Sequence, residues 1–405
     1  MMPMTVTSFT CDASPIKVTM GKSYTGKCAI GNLEDYLSDH KSFIVDEIAN
    51  PIHLQPHKIN IVIPIYDSGV RVLPAIESIL KSDLDEHLEL VCFINQPENC
   101  PPTALKNNRI TLKLLHYIFC VIDAIEVEHE VFEKAYELRK IFCDRKLFIP
   151  IIINKTVQHG VGEVLQTSIS SYLARIYNYA VRNLIDDLDS DELVIEKSKM
   201  IDKINQNTVL VFYDDDIVVE NKGLKNIYTA VCQNKVGVGR FNIKKIITTE
   251  TKDDELIECL RVIMQCWISF KDDLGINYLP PKSATLSHFL HMAPDVDLGT
   301  DYDSQKLFAI LGKRVGNLHI TEVDTVIAER DFPGNSGFVK QLRLFLEGKI
   351  NDFNQLLFLK NVVNLYNNDQ NHVFTNKQIN HLVNLISNRK IGEIISFCYQ
   401  LLKFC

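Results

Sequence analysis

The sequence lacks several features that would place its 405 residues in a special class of protein. The first residues, Met1 to Thr7, have neither the basic start nor the apolar stretch of a signal peptide. The longest apolar run, Leu114 to Ile122, falls well short of the roughly 20 residues that a membrane-spanning helix requires. We therefore expect a cytoplasmic protein without a transmembrane segment.

Cysteine is present but does not form the patterns of a disulfide framework or a zinc site. The chain has 11 cysteines, an odd number, and they are irregularly spaced with no Cys-x-x-Cys pair. Most of them lie in apolar runs, as Cys92 does. We predict reduced thiols in the core of the protein.

The chain also lacks an excess of basic residues. It has 43 Lys and Arg against 51 Asp and Glu, a formal net charge of −8 and a pI near 5.9. This balance does not predict a nucleic-acid partner. Hydrophobic residues make up 46% of the sequence, which is enough for a well-formed core.

Apolar runs rich in β-branched residues alternate with helical patterns over much of the chain. The segment 112–122 suits a strand or a helix. The alternation predicts an α/β fold, with a mostly parallel sheet and helices on both faces. The segments concerned are strands at 58–65, 88–94, 147–153, 209–213 and 236–243, and helices at 70–81, 131–142, 165–188 and 222–232.

The periodicity also predicts how the chain is divided. Residues 1–56 show no clear period, and we assign them no role. Residues 57–344 contain the alternating segments and form the predicted catalytic domain. Residues 345–405 contain three helical patterns and are expected to form a helical C-terminal appendage.

Three consecutive carboxylates, Asp214, Asp215 and Asp216, directly follow the apolar strand at 209–213. The carboxyl ends of parallel strands are where α/β sheets bind ligands. Carboxylates two residues apart can reach one Mn²⁺ or Mg²⁺ ion, which can also bind a diphosphate. The alternative is a solvated acidic turn, but repulsion among three carboxylates then needs compensation.

Two further motifs lie at comparable places in the predicted fold. The first strand ends as Val62-Ile-Pro-Ile-Tyr-Asp67, where Pro64 favours a strand end opening into a loop that could receive a base and ribose. Asp301 and Asp303 lie near the start of a later predicted helix, whose dipole stabilises carboxylates. Taken alone, the first motif is explained by an ordinary βα turn and the second by an ordinary helix cap.

In this order, the three motifs resemble those of nucleotide-sugar glycosyltransferases with the GT-A fold, in particular glycosyltransferase family 2. The family's VIPxYN strand is matched by 62–67, with Asp67 in place of Asn. Its DxD motif is matched by Asp214 and Asp216. Its GEDxD motif is matched by 299–303, with Thr300 in place of Glu. The resemblance covers about residues 58–330.

The resemblance implies a metal-dependent, inverting transfer of a hexose from a nucleoside-diphosphate sugar to an acceptor hydroxyl. Mn²⁺ or Mg²⁺ would be the cofactor. Asp214 would face the ribose or the metal, Asp215 would belong to the same nucleotide-sugar site, and Asp216 would bind the metal. Asp301 would be the general base. Glu329 stands near the place where the family often has a histidine.

The resemblance also implies which residues would line the donor site beside the first two strands. Pro64, Tyr66 and Asp67 would contact the nucleotide. Asn95 takes the place where the family often has an acidic residue against the base or ribose. The acceptor is left open as a small molecule, a glycan or a protein.

Three alternatives remain open. A retaining GT-A enzyme similar to mannosylglycerate synthases would use the same acidic motif. A nucleotidyltransferase also places paired carboxylates beside a sheet, but usually has a glycine-rich basic loop that 67–71 matches poorly. A non-catalytic nucleotide-sugar-binding protein would bind without turnover.

Overall fold

The computed structural model describes most of the chain, and the account below is confined to that part. The described residues are 29–51, 55–84, 88–145, 148–157, 160–182, 190–229, 238–247, 255–273, 283–285, 320–331, 337–352 and 373–403.

The centre of the described structure is one sheet of eight strands. From edge to edge the strand order is β3-β2-β1-β4-β7-β6-β8-β5. Strands β1 to β4, β6 and β8 point one way, and β5 and β7 point the other. The strands are β1 (Ile59–Ile65), β2 (Leu88–Asn95), β3 (Phe148–Lys155), β4 (Val209–Phe212), β5 (Ile217–Val219), β6 (Val238–Ile247), β7 (Ser283–Thr285) and β8 (Ile320–Asp331).

Helices connect these strands and continue beyond the last of them. None of the described helices combines the length and apolar character that a bilayer crossing needs. The helices are α1 (Ala29–Asp39), α2 (Asp46–Ala49), α3 (Leu73–Leu80), α4 (Pro102–Ile118), α5 (His129–Asp144), α6 (Gly160–Arg182), α7 (Ser190–Asn207), α8 (Gly223–Tyr228), α9 (Glu255–Asp273), α10 (Gly337–Leu346), α11 (Asn376–Ser387) and α12 (Ile391–Leu402).

Side chains of the parallel strands alternate between two cores, one on each face of the sheet. Ile61, Ile63 and Cys92 pack on one face with α3, α4 and α5. Val62 and Phe93 pack on the other face with α1, α6 and α7. Strands buried on both faces read as continuous apolar runs, which explains their appearance in the sequence. The predicted α/β class, with a mostly parallel sheet and helices on both faces, is confirmed.

The segment 112–122, which suited a strand or a helix, is helical as far as Ile118 and belongs to α4. Its apolar side chains Leu114, Leu115 and Ile118 are spaced to cover one side of a helix, and all three are buried in the core. Pro102 begins the helix, where its missing N–H is not needed.

Helices also form where the sequence pattern predicted none. α1 and α2 lie within 1–56, and they cover the sheet together with α6. α7 and α9 were likewise not predicted. α9 packs with α10, α11 and α12 in a third core, which contains Trp267, Leu342, Ile386 and Cys398. Two of the three helical patterns predicted in 345–405 are confirmed by α11 and α12. The start of the first is wrong, because α10 ends at Leu346 and residues 347–352 are not helical.

A buried ion pair joins α6 to the sheet. Glu89 in β2 and Arg175 in α6 are each 1% exposed. Arg175 Nη1 donates to both oxygens of Glu89, at 2.8 and 2.7 Å, and the Tyr172 hydroxyl donates to Oε1 at 2.7 Å. Arg175 Nη2 also donates to the carbonyl of Gln55. The two charges are therefore satisfied by hydrogen bonds within the core.

The described cysteines are free thiols, as predicted. Cys92, Cys259, Cys266 and Cys398 are buried, which confirms the expectation of core thiols for these four. Cys120 and Cys143 differ, because both are exposed.

Candidate functional site

The three consecutive aspartates form a turn at the carboxyl end of β4. The backbone of Tyr213 still donates to the Val62 carbonyl at 2.9 Å, which continues the β1–β4 ladder. The chain then reverses, and the N–H of Ile217, the first residue of β5, donates to the Asp214 carbonyl at 3.2 Å. Asp214, Asp215 and Asp216 are all partly exposed. We call residues 214–216 the carboxylate turn.

Tyr213 anchors the start of the carboxylate turn. Its side chain is fully buried, and its hydroxyl is hydrogen-bonded to Ser78 Oγ on α3 at 2.7 Å. Burial raises the pKa of Tyr213, so the hydroxyl stays neutral. The turn therefore projects from a fixed point in the core.

The loop after β1 lies beside the carboxylate turn, because β1 and β4 are neighbours in the sheet. Pro64 is in the last part of β1, opposite Phe93 of β2 and beyond the last residue paired with β4. Tyr66 follows with 39% of its surface exposed. Asp67 has a φ of 57°, in the left-handed region that Asp tolerates better than most residues. We call residues 66–71 the β1 loop.

Helix α4 holds the β1 loop with three polar side chains. Asn108 Oδ1 accepts from the Asp67 backbone N–H at 2.9 Å, and Asn107 Nδ2 donates to the Asp67 carboxylate at 2.7 Å. Thr111 Oγ1 donates to the Gly69 carbonyl at 3.1 Å. Gly69 has a φ of 59°, and a Cβ there would lie 3.3 Å from Asn107 Oδ1, so glycine suits this position.

The sequence pattern did not single out these α4 residues. The available signal was polar residues at 107, 108 and 111, one helical turn apart, but α4 also carries Lys106, Arg109 and Lys113, so polarity alone did not distinguish them. Asn108 is 2% exposed and Thr111 is fully buried, so they occupy core positions without being apolar. Buried polar side chains in such positions need hydrogen-bond partners, and here the β1 loop provides them.

A hydrogen bond from Ser68 Oγ to Asp215 Oδ2 links the β1 loop to the carboxylate turn. Arg71 lies in the same loop and donates through Nη2 to the Asp67 carbonyl and through Nε to the Ser68 carbonyl. Part of the Asp215 surface is accessible, but its carboxyl group is desolvated. The Asp215 carboxyl is therefore directed at the β1 loop.

Desolvation and like charges act together on Asp215. Burial, followed by the charges of Asp216 and Asp214, raises the pKa of Asp215 to about 7. The hydrogen bond from Ser68 and the positive charge of Arg71 act in the opposite direction. Three carboxylates held this close create a local excess of negative charge, which a bound cation would relieve.

Asn95 connects the end of β2 to its neighbours. It is 8% exposed, and its Oδ1 accepts from the Val157 backbone N–H at 3.2 Å. Its backbone carbonyl accepts from Asn108 Nδ2 at 2.8 Å. Asn95 thus fixes the strand end next to the β1 loop, through the same α4 residue that holds Asp67.

The structure therefore brings most of the predicted site residues to the carboxyl ends of the neighbouring strands β1, β2 and β4. Pro64 lies near the end of β1 and is followed by Tyr66 and Asp67, Asn95 ends β2, and the carboxylate turn follows β4. Glu329 lies in β8 and is paired with Val218 of β5, two residues after the end of the carboxylate turn. Asp301 and Asp303 lie outside the described residues.

The donor atoms at this edge fit a cation that keeps open coordination positions. Within the described part of the chain, no three His, Cys, Asp or Glu side chains converge as a ready-made metal site. Mg²⁺ and similar ions are often held by only one or two carboxylates, with phosphate and water oxygens as the other ligands. Asp214 and Asp216 are the two carboxylates that flank Asp215 in the carboxylate turn.

Comparisons with known proteins add little to this description. No protein-family model and no curated protein matches the chain. Among solved structures, Staphylococcus aureus TarS 1–349 is similar with a TM-score of 0.33 and 8% identity, covering 85% of this chain and 91% of that one. The mannosyltransferase PcManGT from Pyrobaculum calidifontis, in complex with GDP-Man and Mn²⁺, has a TM-score of 0.33 and 10% identity, covering 93% and 83%. Similarity at this level does not establish a function.

Proposed function

We propose that the protein is a metal-dependent glycosyltransferase that moves a hexose from a nucleoside-diphosphate sugar to an acceptor hydroxyl, with inversion. The observation that supports this most is the carboxylate turn at the end of β4, linked by Ser68 to the loop that ends β1. Ligands of open α/β sheets bind outside the carboxyl ends of the strands. Acidic side chains there suit a cation and a diphosphate.

In this proposal, Asp214 and Asp216 bind the cation, and Asp215 bonds to the β1 loop. Asp214 and Asp216 would hold Mn²⁺ or Mg²⁺, and the bound ion would offset the charge that grows on the leaving diphosphate. Asp215 accepts from Ser68 and orients the turn toward the β1 loop. Its part in nucleotide-sugar binding is thus to position its two neighbours.

The donor nucleotide would lie along the β1 loop and the end of β2. Tyr66 offers an exposed aromatic ring, and Pro64 directs the chain out of the sheet. Asp67 is held by Asn107 and Asn108, so the loop would not need to be ordered when the donor binds. Asn95 forms the neighbouring wall.

The proposal assigns the acceptor chemistry to Asp301 on the resemblance alone. A carboxylate there would take the proton of the acceptor hydroxyl as the anomeric bond forms. We further propose that 57–344 is the transferase domain, that 1–56 and 345–405 are additions to it, and that the protein acts in the cytoplasm.

A screen of nucleotide sugars, each with and without Mn²⁺, tests the proposal. We expect one donor to raise the melting temperature by about 3 °C at a hundredfold excess over its Kd. That donor should also be hydrolysed slowly in the absence of an acceptor. The shift should require the metal, because the carboxylates of Asp214 and Asp216 would repel the diphosphate without a cation.

The matched variants are Asp216→Ala and Glu220→Ala. Asp216 lies in the carboxylate turn, whereas Glu220 is an exposed carboxylate just after β5. Asp216→Ala should abolish the metal-dependent shift and the hydrolysis, and Glu220→Ala should preserve both. A donor that binds and turns over equally in excess EDTA would refute the metal assignment. Binding without any turnover would instead indicate a non-catalytic binding protein.

A further inference from the structure

Two exposed thiols lie in contact at the carboxyl ends of α4 and α5, two of the helices that pack on β1 and β2. Cys120 follows the end of α4, and Cys143 is in the last turn of α5. Their sulfur atoms are 3.6 Å apart, and both residues are exposed. They are 23 positions apart in the sequence, and the fold brings them together. Because their sulfurs are in contact, neither is a lone surface cysteine.

Cys120 occupies a position where glycine is the usual residue. Its backbone N–H donates to the Tyr117 carbonyl at 3.2 Å, and the Val121 N–H donates to the His116 carbonyl at 2.8 Å. This pair of bonds is the Schellman ending of a helix, in which the residue at this position has a left-handed conformation. Cys120 has a φ of 60°, so its side chain is kept at some conformational cost.

Several contacts hold the two cysteine-bearing segments against each other. Arg139, one turn before Cys143, donates through Nη1 to the carbonyls of Tyr117 and Ile122, at 3.0 and 2.6 Å. The rings of Phe119 and Phe142 pack edge to face, with centroids 5.2 Å apart. These contacts fix the backbone on both sides of the two sulfurs. To form a disulfide bond of about 2.05 Å, the two sulfur atoms need to move only slightly closer together.

We propose that Cys120 and Cys143 form a dithiol site that is reversibly oxidised to a disulfide by a low-molecular-weight disulfide. One thiolate attacks the oxidant and releases one small thiol, which leaves a mixed disulfide on the protein. The second thiolate then attacks the protein sulfur and releases the second small thiol. Two cysteines are oxidised, one small disulfide is reduced, and the two protons go to the released thiols.

The surroundings of the pair predict how the reaction depends on pH. Partial burial and the hydrogen bond with Cys143 raise the pKa of Cys120. The charged groups facing it are Arg139, which lowers the pKa, and Asp123, which raises it. Because the thiolate is the reacting form, the rate of exchange should increase as the pH rises above neutrality.

The test incubates the full chain with oxidised and reduced glutathione in defined ratios, followed by peptide mapping without reduction. We expect a link between the peptides that carry Cys120 and Cys143, reversed by excess reduced glutathione. The bond would close a loop of about 24 residues, which corresponds to a rise in melting temperature of about 4 °C for a chain of this length.

Cys120→Gly and Cys143→Ser are the diagnostic variants. Cys120→Gly suits the left-handed backbone, so it should fold at least as well as the natural chain. Both variants should lose the link and the thermal shift, while Cys100→Ser, which changes a thiol outside the pair, should keep them. Glutathione adducts on Cys120 and Cys143 without a link, or links to other cysteines, would overturn the proposal.

Discussion

Replacing Arg175 with methionine should strongly destabilise the protein. The substitution removes both hydrogen bonds from Nη1 to the Glu89 carboxylate and the bond from Nη2 to Gln55. Glu89 is 1% exposed, so water cannot replace the lost guanidinium without opening the core. Tyr172 still donates one hydrogen bond, but its hydroxyl carries no charge, and His57, whose Nε2 lies 3.7 Å from Glu89 Oε2, compensates the charge only when it is protonated.

The expected loss is set by the charge left behind. Removing one partner of a buried ion pair typically costs about 3 to 5 kcal/mol. Unfolding entropy of about 2.1 cal/mol/K per residue converts this to a fall in melting temperature of roughly 4 to 6 °C over 405 residues. The double variant Arg175→Met with Glu89→Leu should recover most of the loss, because an apolar pair leaves no buried charge.

Urea denaturation followed by circular dichroism at 222 nm measures these differences. The four chains of the double-mutant cycle give the coupling between Glu89 and Arg175. Lys199→Met is the control, since it removes a partner of the exposed Lys199–Glu196 pair and should leave the midpoint unchanged. If the single Arg175 variant is no less stable than the double variant, the pair does not carry the proposed buried charge.

Three further predictions concern the β1 loop, the C-terminal helices and the proposed reaction. Gly69→Ala should destabilise the protein more than Gly348→Ala in urea titrations, because both residues have positive φ but only the first has Asn107 within contact distance. Thr375→Ala should cost about 1 kcal/mol in the same titrations, since the Thr375 hydroxyl caps α11, and an unchanged midpoint would contradict this role. Asp301→Asn should lower single-turnover transfer at least about a hundredfold with little change in donor affinity, and normal transfer with retained anomeric configuration would favour a retaining enzyme.

Much of the fold was predictable because the strands are buried on both faces. The runs at 58–65, 88–94 and 209–213 became β1, β2 and β4 with shifts of one residue at most at each end. The segment 112–122 was ambiguous, since a short apolar run has no period that separates a helix from a strand. α7 and α9 were missed although both are amphipathic, and the third core of α9 depends on contacts between distant parts of the chain.

The sequence predicted which strand ends would carry the candidate site, but not the hydrogen bonds that connect its residues. The carboxyl ends of parallel strands lie side by side in a sheet. This rule was sufficient to predict the neighbourhood of Asp214, Asp216, Tyr66 and Asn95. The bond between Ser68 and Asp215 joins residues 147 positions apart, and no local pattern encodes it. The support from Asn107 and Asn108 could not be recognised, because α4 also carries exposed polar residues such as Lys106 and Arg109 beside them.

The only tryptophan of the chain lies in the core that α9 forms with the C-terminal helices, far along the sequence from the carboxylate turn. Trp267 is 4% exposed there, so its fluorescence should change when that core loses its packing. The circular dichroism signal at 222 nm instead reports the helices of all three cores together. The molecule thus contains an optical reporter of one core. If the denaturation midpoints from fluorescence and from circular dichroism coincide, the helical core and the sheet unfold as one cooperative unit, and if the midpoints differ, they unfold separately.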